Sequence, residues 1–419
     1  MKEWRALPKV SKTSLFITAF TAFSCILGID IHTPSLPAMV DSFRTTNDIL
    51  QMAVPIFVLG AGLGIVMWGP LADQYGRRPI IMAGVSIVTV SAAIAATVSN
   101  IWVFLSLRFL QGIGSGAAMC LGRVIAADLL APKELATIGS TMGLVTGMAP
   151  MLAPVIGGYI EESIGWQGSF VFYACQTSIA LLLFALFYTE SLHKPHHSSI
   201  IKRYSALLIK KRFILLGLLQ GTVLSVINCY ALVAPFLVLE EMKQSAIFFG
   251  WVSFLCASCQ LLSKLSAPSY IRRFGPRRVN IAGWCVLFVS ALLLILRYNY
   301  YLEDELFQLI VNLPYFSYKI DVLTSYSQLF FIGSIGLAFY SIHLIIPYLF
   351  REVMSLPSFG KGILGAGFSA TGMIFSSCLS SMIAFIPYEG SGLLGGYYCA
   401  LALFGLALSS WAYRIKKGA

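Results

Sequence analysis

The sequence predicts an all-α polytopic membrane protein of twelve transmembrane helices in two six-helix bundles. Composition, the spacing of apolar runs and an internal repeat carry that prediction. Of 419 residues, 58% are apolar and 11% charged, whereas soluble domains run at roughly 45–50% apolar and about 25% charged. Mean hydropathy is +0.80 over the whole length, and 36 glycines and 17 prolines lie largely inside apolar runs, as in membrane helices. With about 20 apolar residues per crossing plus a short connection, this length holds about twelve crossings and no large soluble domain. The formal charge of +11 belongs mostly to loops, where basic residues fix orientation. Nucleic acid is therefore not the partner it points to.

Apolar runs and their breakers place helices at 14–34, 50–68, 80–99, 102–124, 136–158, 167–188, 213–239, 246–268, 279–297, 326–349, 362–386 and 391–413. The first run follows Lys2, Arg5, Lys9 and Lys12 as a signal peptide would. It continues for about 20 residues without a small-residue cleavage site and leads into Pro34 and Pro37, so it is read as an uncleaved span. Twelve spans put both termini on one side. With the N-terminus in the cytoplasm, 24 of the 29 Lys and Arg fall on the inner side, leaving Arg44, Lys243, Arg297 and Lys319 outside and Arg108 within helix 4. A multi-pass protein of the cell (inner) membrane follows, with the lipid bilayer as its solvent.

The polar stretch 191–212, with His193, His196, His197 and six basic residues in and beside it, separates a first bundle (1–190) from a second (213–419). It reads as a solvated cytoplasmic linker. The nine cysteines sit almost wholly in apolar runs and read as small buried hydrophobes. Cys256 and Cys259 lack a nearby His or carboxylate, so no metal site and no cofactor is expected. The halves echo each other: Tyr75-Gly76-Arg77-Arg78-Pro79 follows helix 2, and Phe274-Gly275-Pro276-Arg277-Arg278 follows helix 8, 199 residues later. Such repeats mark transporters made of two like bundles. The outer connection 298–325 holds Glu303, Asp304 and Glu305, then Leu306, Phe307, Leu309, Ile310 and Leu313. At helical spacing this is an amphipathic element on the outer membrane surface; the alternative is an irregular loop.

Four segments carry a family resemblance. Gly69-Pro-Leu-Ala-Asp73-Gln-Tyr-Gly76-Arg77-Arg78, between helices 2 and 3, resembles the signature loop of the major facilitator superfamily. Leu107-Arg108-Phe-Leu-Gln111-Gly112 in helix 4 resembles its membrane-embedded arginine motif. Gly147, Pro150, Pro154, Gly157 and Gly158 in helix 5 resemble its antiporter motif. Asp30-Ile-His-Thr-Pro34-Ser-Leu-Pro37 resembles a segment of the 12-span drug/proton antiporters, nearest the Bcr/CflA (bicyclomycin and chloramphenicol resistance) group. The second half matches mainly in topology.

Intramembrane ionisable residues are functional hypotheses by default, and by the predicted spans only Asp30 and Arg108 lie well inside. The resemblance implies that helices 1 and 4 face one cavity, where Asp30 and Arg108, with Gln111, serve proton coupling and substrate; His32 and His343 are further relay candidates. Gly69 and Gly76 permit a tight turn, and Asp73 either pairs with Arg77 or caps a helix. The resemblance makes that helix the eleventh, starting near Gly360. It joins Asp73, Arg77, Arg78 and Asp128 in a network that latches the outward-facing state. In the family the helix 5 motif marks exporters. Gln220, Asn228 and His343 are polar enough to be substrate contacts.

These readings converge on a proton-coupled exporter, an antiporter of small neutral or anionic amphiphiles such as drugs, working by alternating access as a monomer. The alternative is a proton-coupled carrier of a specific metabolite or siderophore, exporting or importing. Helix 1 has no second carboxylate between Phe20 and Gly28, which counts against cations. No GxxxxGK[ST] loop is present, and no nucleophile and base are paired within the spans, so neither a nucleotide-driven pump nor an enzyme is expected.

Overall fold

The computed structural model describes residues 8–192, 206–310, 317–356, 361–386 and 390–417. Twelve helices in it are long and apolar enough to cross a membrane: α1 (Lys9–Leu27), α2 (Ala53–Tyr75), α3 (Arg77–Ala95), α4 (Ile101–Leu129), α5 (Pro132–Gly147 and Ala149–Ile164), α6 (Trp166–Phe187), α7 (Lys211–Phe236), α8 (Ala246–Phe274), α9 (Pro276–Ile310), α10 (Ser317–Met354), α11 (Lys361–Ala384) and α12 (Gly390–Lys417). Helices α1–α6 and α7–α12 make the two bundles. The histidines of the linker lie outside the described residues.

Local chemistry explains where the helices depart from the predicted bounds. α1 stops at Leu27 rather than near 34: Gly28 caps it, and Pro34 and Pro37, lacking the N–H groups that would bond Asp30 and Thr33, keep an α-helix from running on through 33. The chain turns through Gly28–His32, passes a short 3-10 helix (Thr33–Ser35) and enters an eight-residue helix, Leu36–Phe43. Pro150, which lacks the N–H that would bond Thr146, breaks α5 at Met148; the Met148 N–H reaches back to Val145 O instead. Of the expected outer amphipathic element, the residues from Glu303 to Ile310 are helix continuous with α9, and Leu313 lies outside the described residues; α10 is described from Ser317.

Gly69 and Pro70 lie inside α2, so the turn after α2 depends on Gly76 alone. Its φ is +101°, and Gly275, its counterpart before α9, has φ +84°. The sequence repeat is thus a repeated turn, and only glycine adopts this backbone without strain.

Small residues set the helix spacing. A Cβ added to Gly112 would lie 2.1 Å from the Phe57 carbonyl oxygen, and one on Gly60 would lie 2.4 Å from that of Phe109, so α2 and α4 meet backbone to backbone. Between the bundles, α5 packs on α8 and α2 on α11. At the end remote from the termini this seam is closed. Gly158 abuts the Ala246 carbonyl, where a Cβ would come within 2.5 Å, and Gly250 abuts that of Pro154, at 2.7 Å. Glu162 accepts a hydrogen bond from the Ile247 N–H at 2.9 Å, at the start of α8, and the Ser377 hydroxyl donates to the Pro55 carbonyl at 2.7 Å.

Candidate substrate cavity and charge sites

The early end of α1 leaves carbonyls at Gly28 and Ile29 without helical donors, and Arg108 meets them. Wholly buried on α4, it donates Nη1 to Gly28 O at 3.0 Å and to Gln111 Oε1 at 2.7 Å. Nη2 reaches Ile29 O and Nε reaches Ala53 O, both at 3.4 Å. The guanidinium lies 4.6 Å from the centre of the Phe57 ring and 5.9 Å from that of Phe170, contacts that favour a cation. Arg108 therefore ties the end of α1 and the start of α2 to α4, and the negative end of the α1 dipole adds to its hold.

Asp30 and Arg108, expected to share one cavity, are near enough to act on each other electrostatically but form no ion pair. Past the end of α1, the Asp30 side chain turns to the seam between the bundles. It enters a pocket of about 20 Å³ shared with Pro150 and Pro154 of α5, Tyr230 of α7, and Phe249 and Ser253 of α8. That is room for one water. His32 is buried against Phe170, ring centres 5.7 Å apart, and neither of its nitrogens has a hydrogen-bond partner among the described residues.

Around the turn after α2, Arg77 is buried and donates Nη1 to Asp73 at 2.5 Å and Nε to Asp128 at 3.2 Å. Asp73 thus pairs with Arg77, the first of its two expected options. The α3 N-terminus is instead capped by Glu190, just beyond α6, whose carboxylate accepts from the Arg77 N–H at 3.1 Å, the Arg78 N–H at 2.9 Å and the Leu192 N–H at 2.9 Å. Partial burial works against the charged Glu190 carboxyl, but these backbone donors outweigh it and hold it below the usual carboxylate range. The Ser191 hydroxyl donates to Asp128 at 3.3 Å, and the Arg78 guanidinium donates to the Ala185 carbonyl. Every one of these contacts lies within the first bundle. Gly360, expected to open helix 11 as the partner across the seam, lies outside the described residues.

In the half of the seam nearer the termini the bundles stand apart, leaving a two-lobed cavity of about 670 and 730 Å³. One lobe lies between α1, α4, α5, α8 and α10; the other lies between α2, α4, α7, α10 and α11. Both share Met119, Arg123 and Phe350, and together they reach helix ends at Ala126, Ala127 and Gly362. The Arg77 pairs are thus formed while this end stands open, so they do not depend on its closure.

Of the predicted substrate contacts, Gln220 lines the second lobe, its Oε1 without a partner among the described residues. Asn228 instead gives its amide to Ser376 at 2.8 Å across α7 and α11. Neither Asn228 nor His343 borders either lobe. Gly147 stands beside Lys264, 3.7 Å from its Nζ to an added Cβ, and Gly157 packs under the Ile31 carbonyl.

Two lining residues escape the sequence reading. Arg123 and Lys264 fall just inside the predicted ends of helices 4 (102–124) and 8 (246–268) and count there among the inner-side charges; the structure carries α4 on to Leu129 and α8 on to Phe274, which sets both deeper in their spans and in the cavity wall. Both lie inside the predicted bounds, so weighing them as charges within a span rather than as orientation signals would have flagged them.

A family profile described as Major Facilitator Superfamily matches residues 18–302. A "Bicyclomycin resistance protein homolog" of Haemophilus influenzae is 31% identical over 212 residues, 48% of this chain and 52% of that protein. The "Multidrug resistance protein MdtL" of Escherichia coli is 26% identical over 266 residues, 63% of this chain and 68% of that one. This chain spans about half the length of the first curated relatives it matches. The xylose transporter XylE of E. coli, solved in a partially occluded inward-open conformation, superposes with a TM-score of 0.71 at 14% identity, covering 97% of this chain and 98% of that one. That likeness is one of fold. With the profile covering well over half of its length, and twelve helices among the described residues long and apolar enough to cross a membrane, the chain belongs to the Major Facilitator Superfamily.

Proposed function

We propose that this protein exports small amphiphilic compounds, drugs among them, in exchange for protons by alternating access. The observation that carries the reading is the asymmetry of the seam: a cavity at the end nearer the termini, and backbone-tight closure at the other end. With 24 of 29 basic residues at the terminal end, that end faces the cytoplasm and this is the inward-facing state. The resistance proteins among its relatives support drug export, and the helix 5 glycines support antiport.

Asp30 is the proton site in this reading. It sits where the closed end presses two bundles together, and an ionised carboxylate in apolar surroundings is costly unless it is neutralised. Proton loading at Asp30 thus favours closure of the outer end, and proton release favours its opening. Arg108 and Gln111 hold the frame from which Asp30 acts, and the Asp73, Arg77 and Asp128 cluster keeps the first bundle rigid as it rocks.

The test is transport in proteoliposomes under an imposed pH gradient, across antibiotics, dyes and siderophores. Movement of several unrelated amphiphiles driven by protons is expected, and it stops in Asp30→Asn with binding retained. Drive by a sodium gradient alone, or movement of one siderophore only, would overturn the proposal.

A further inference from the structure

Within the export reading just given, we infer that the favoured cargo is an amphiphile with one anionic group, held between Arg123 of α4 and Lys264 of α8. The two cations come from different bundles and line the same lobe. No aspartate or glutamate lines either lobe.

Both charges lie at a depth where they demand a partner. At 1.5 Å per residue, Lys264 is about 15 Å from the end of α8 and Arg123 about 9 Å from the end of α4. Charges inside spans are costly and mark substrate pathways. Neither is in an ion pair with a described residue. Lys264 gives one hydrogen bond, Nζ to the Gly143 carbonyl at 3.0 Å, which uses one of its three donors. Arg108, deeper on α4, is consumed by Gly28, Ile29, Ala53 and Gln111; Arg123 and Lys264 are the basic residues that line the lobe. Ile26, Met119 and Phe350 of the same wall suit an apolar body.

This arrangement selects by charge and couples binding to movement. Closing the terminal end brings the bundles that carry the two cations together. Empty, the site resists closure by like-charge repulsion; an anion between the cations turns that repulsion into two attractions. The anion therefore favours the closed state over the open one, as a ligand that drives a transition must. A cationic amphiphile of the same shape gains nothing.

The test uses three probes with one aromatic body: 1-naphthaleneacetate, its neutral amide and 1-naphthylmethylamine. Binding is measured on the full-length protein in phosphatidylcholine nanodiscs. The acid is expected to bind about tenfold tighter than the amide, a difference of about 1.4 kcal/mol, and the amine weakest. Arg123→Gln and Lys264→Gln each reduce the acid-to-amide preference and leave amide affinity unchanged, and the double variant abolishes it. Lys264→Arg retains it, which a merely structural lysine would not predict. An amine bound as tightly as the acid, or a preference unchanged in the double variant, overturns the inference. So does acid binding that disappears when phosphatidylglycerol is added to the disc, which marks a lipid headgroup as the occupant. Transport is scored separately: an acid preference with no proton-driven movement of any probe defeats the export reading alone, and proton-driven movement without that preference defeats the anion site alone.

Discussion

At Gly76 and Gly275 the chain makes the same turn, 199 residues apart, and surrounds it with different side chains. In the first half Arg77 sits between Asp73 and Asp128, and Glu190 caps α3. In the second, Arg272 stands where Asp73 would be and Pro276 where Arg77 would be. Proline at the first helical position removes one orphan N–H, so that helix start needs less capping. Arg277 lies over the Tyr413 ring, 4.3 Å from its centre. The ion pairs of the second half are elsewhere: Arg212 to Glu352 at 2.5 Å, joining α7 to α10, and Arg297 to Glu241 at 3.8 Å. The turn is a backbone requirement and survives in both copies. The electrostatic stitching only has to exist somewhere in each bundle.

The largest test of this difference removes Arg77. Its side chain is 6% exposed, and its loss leaves Asp128 and Asp73 facing each other without a cation. Breaking a buried pair costs about 3–5 kcal/mol; Arg77→Ala is expected at the low end, because Asp73 is 37% exposed. Thermal unfolding in detergent, followed by tryptophan fluorescence, reads it. Arg77→Lys restores part, since an ammonium cannot bridge two carboxylates as a planar fork does. Arg277→Ala, which loses one cation–π contact, costs no more than about 1 kcal/mol. Equal losses at Arg77 and Arg277 would erase the distinction between the halves.

Next comes the turn itself. Alanine at either glycine is strained by about 1–3 kcal/mol, so Gly76→Ala and Gly275→Ala both lower the unfolding midpoint. They differ in their surroundings: a Cβ at Gly76 would meet Glu190 Oε2 at 2.8 Å, whereas one at Gly275 meets nothing within 4 Å. Gly76→Ala is therefore the worse of the two, because it pushes Glu190 off the helix it caps. Equal midpoints would mean that Glu190 contributes nothing at that turn.

The same contrast explains how much was legible in advance. Twelve spans, two bundles, the repeat and the Asp73–Arg77 pair could be read directly, because apolar periodicity and close motif spacing are local signals; Asp128, 51 residues from Arg77, was implied only by the family resemblance. Glu190 could not: it reaches α3 from 113 residues away and reads as the edge of a linker. That Asp30 and Arg108 share one cavity was implied by the family resemblance; the helix ends at Gly28, which gives Arg108 free carbonyls to bind, and Asp30 lies toward the seam. Arg123 and Lys264, just inside the predicted helix ends at 124 and 268, were counted with the inner-side charges, since a charge near a boundary looks the same in a loop as in a cavity wall.

A third test concerns the second half's own stitch. Glu352 is buried, and Arg212 is 23% exposed on its side chain. Arg212→Ala takes the cation from a buried carboxylate that keeps its other neighbours, so its loss is expected to fall below that of Arg77→Ala, at about 2 kcal/mol. Glu352→Gln costs less, because a neutral amide is cheaper to bury unpaired than a charge. If Glu352→Gln destabilises more than Arg212→Ala, the carboxylate serves other neighbours more than it serves Arg212.

The smallest effect has the clearest sign. Glu190 titrates below the usual carboxylate range because the backbone donors of Arg77 and Arg78, at the start of α3, favour its charged form against partial burial. A group whose folded value is depressed stabilises the protein above its unfolded value, about 4.3 for glutamate, and loses that contribution as pH falls through the folded value. Glu190→Gln keeps one acceptor but presents an amide N–H to the second backbone donor. The variant should therefore unfold at a lower temperature than wild type at neutral pH, and the gap should narrow steadily on acidification, closing once wild-type Glu190 is itself protonated. The site is largely exposed, so added salt should also narrow the gap at neutral pH. A gap that stays constant across the acid range would show that shape at the turn, rather than the carboxylate charge, is what Glu190 supplies, and the first half would then differ from the second only at Arg77.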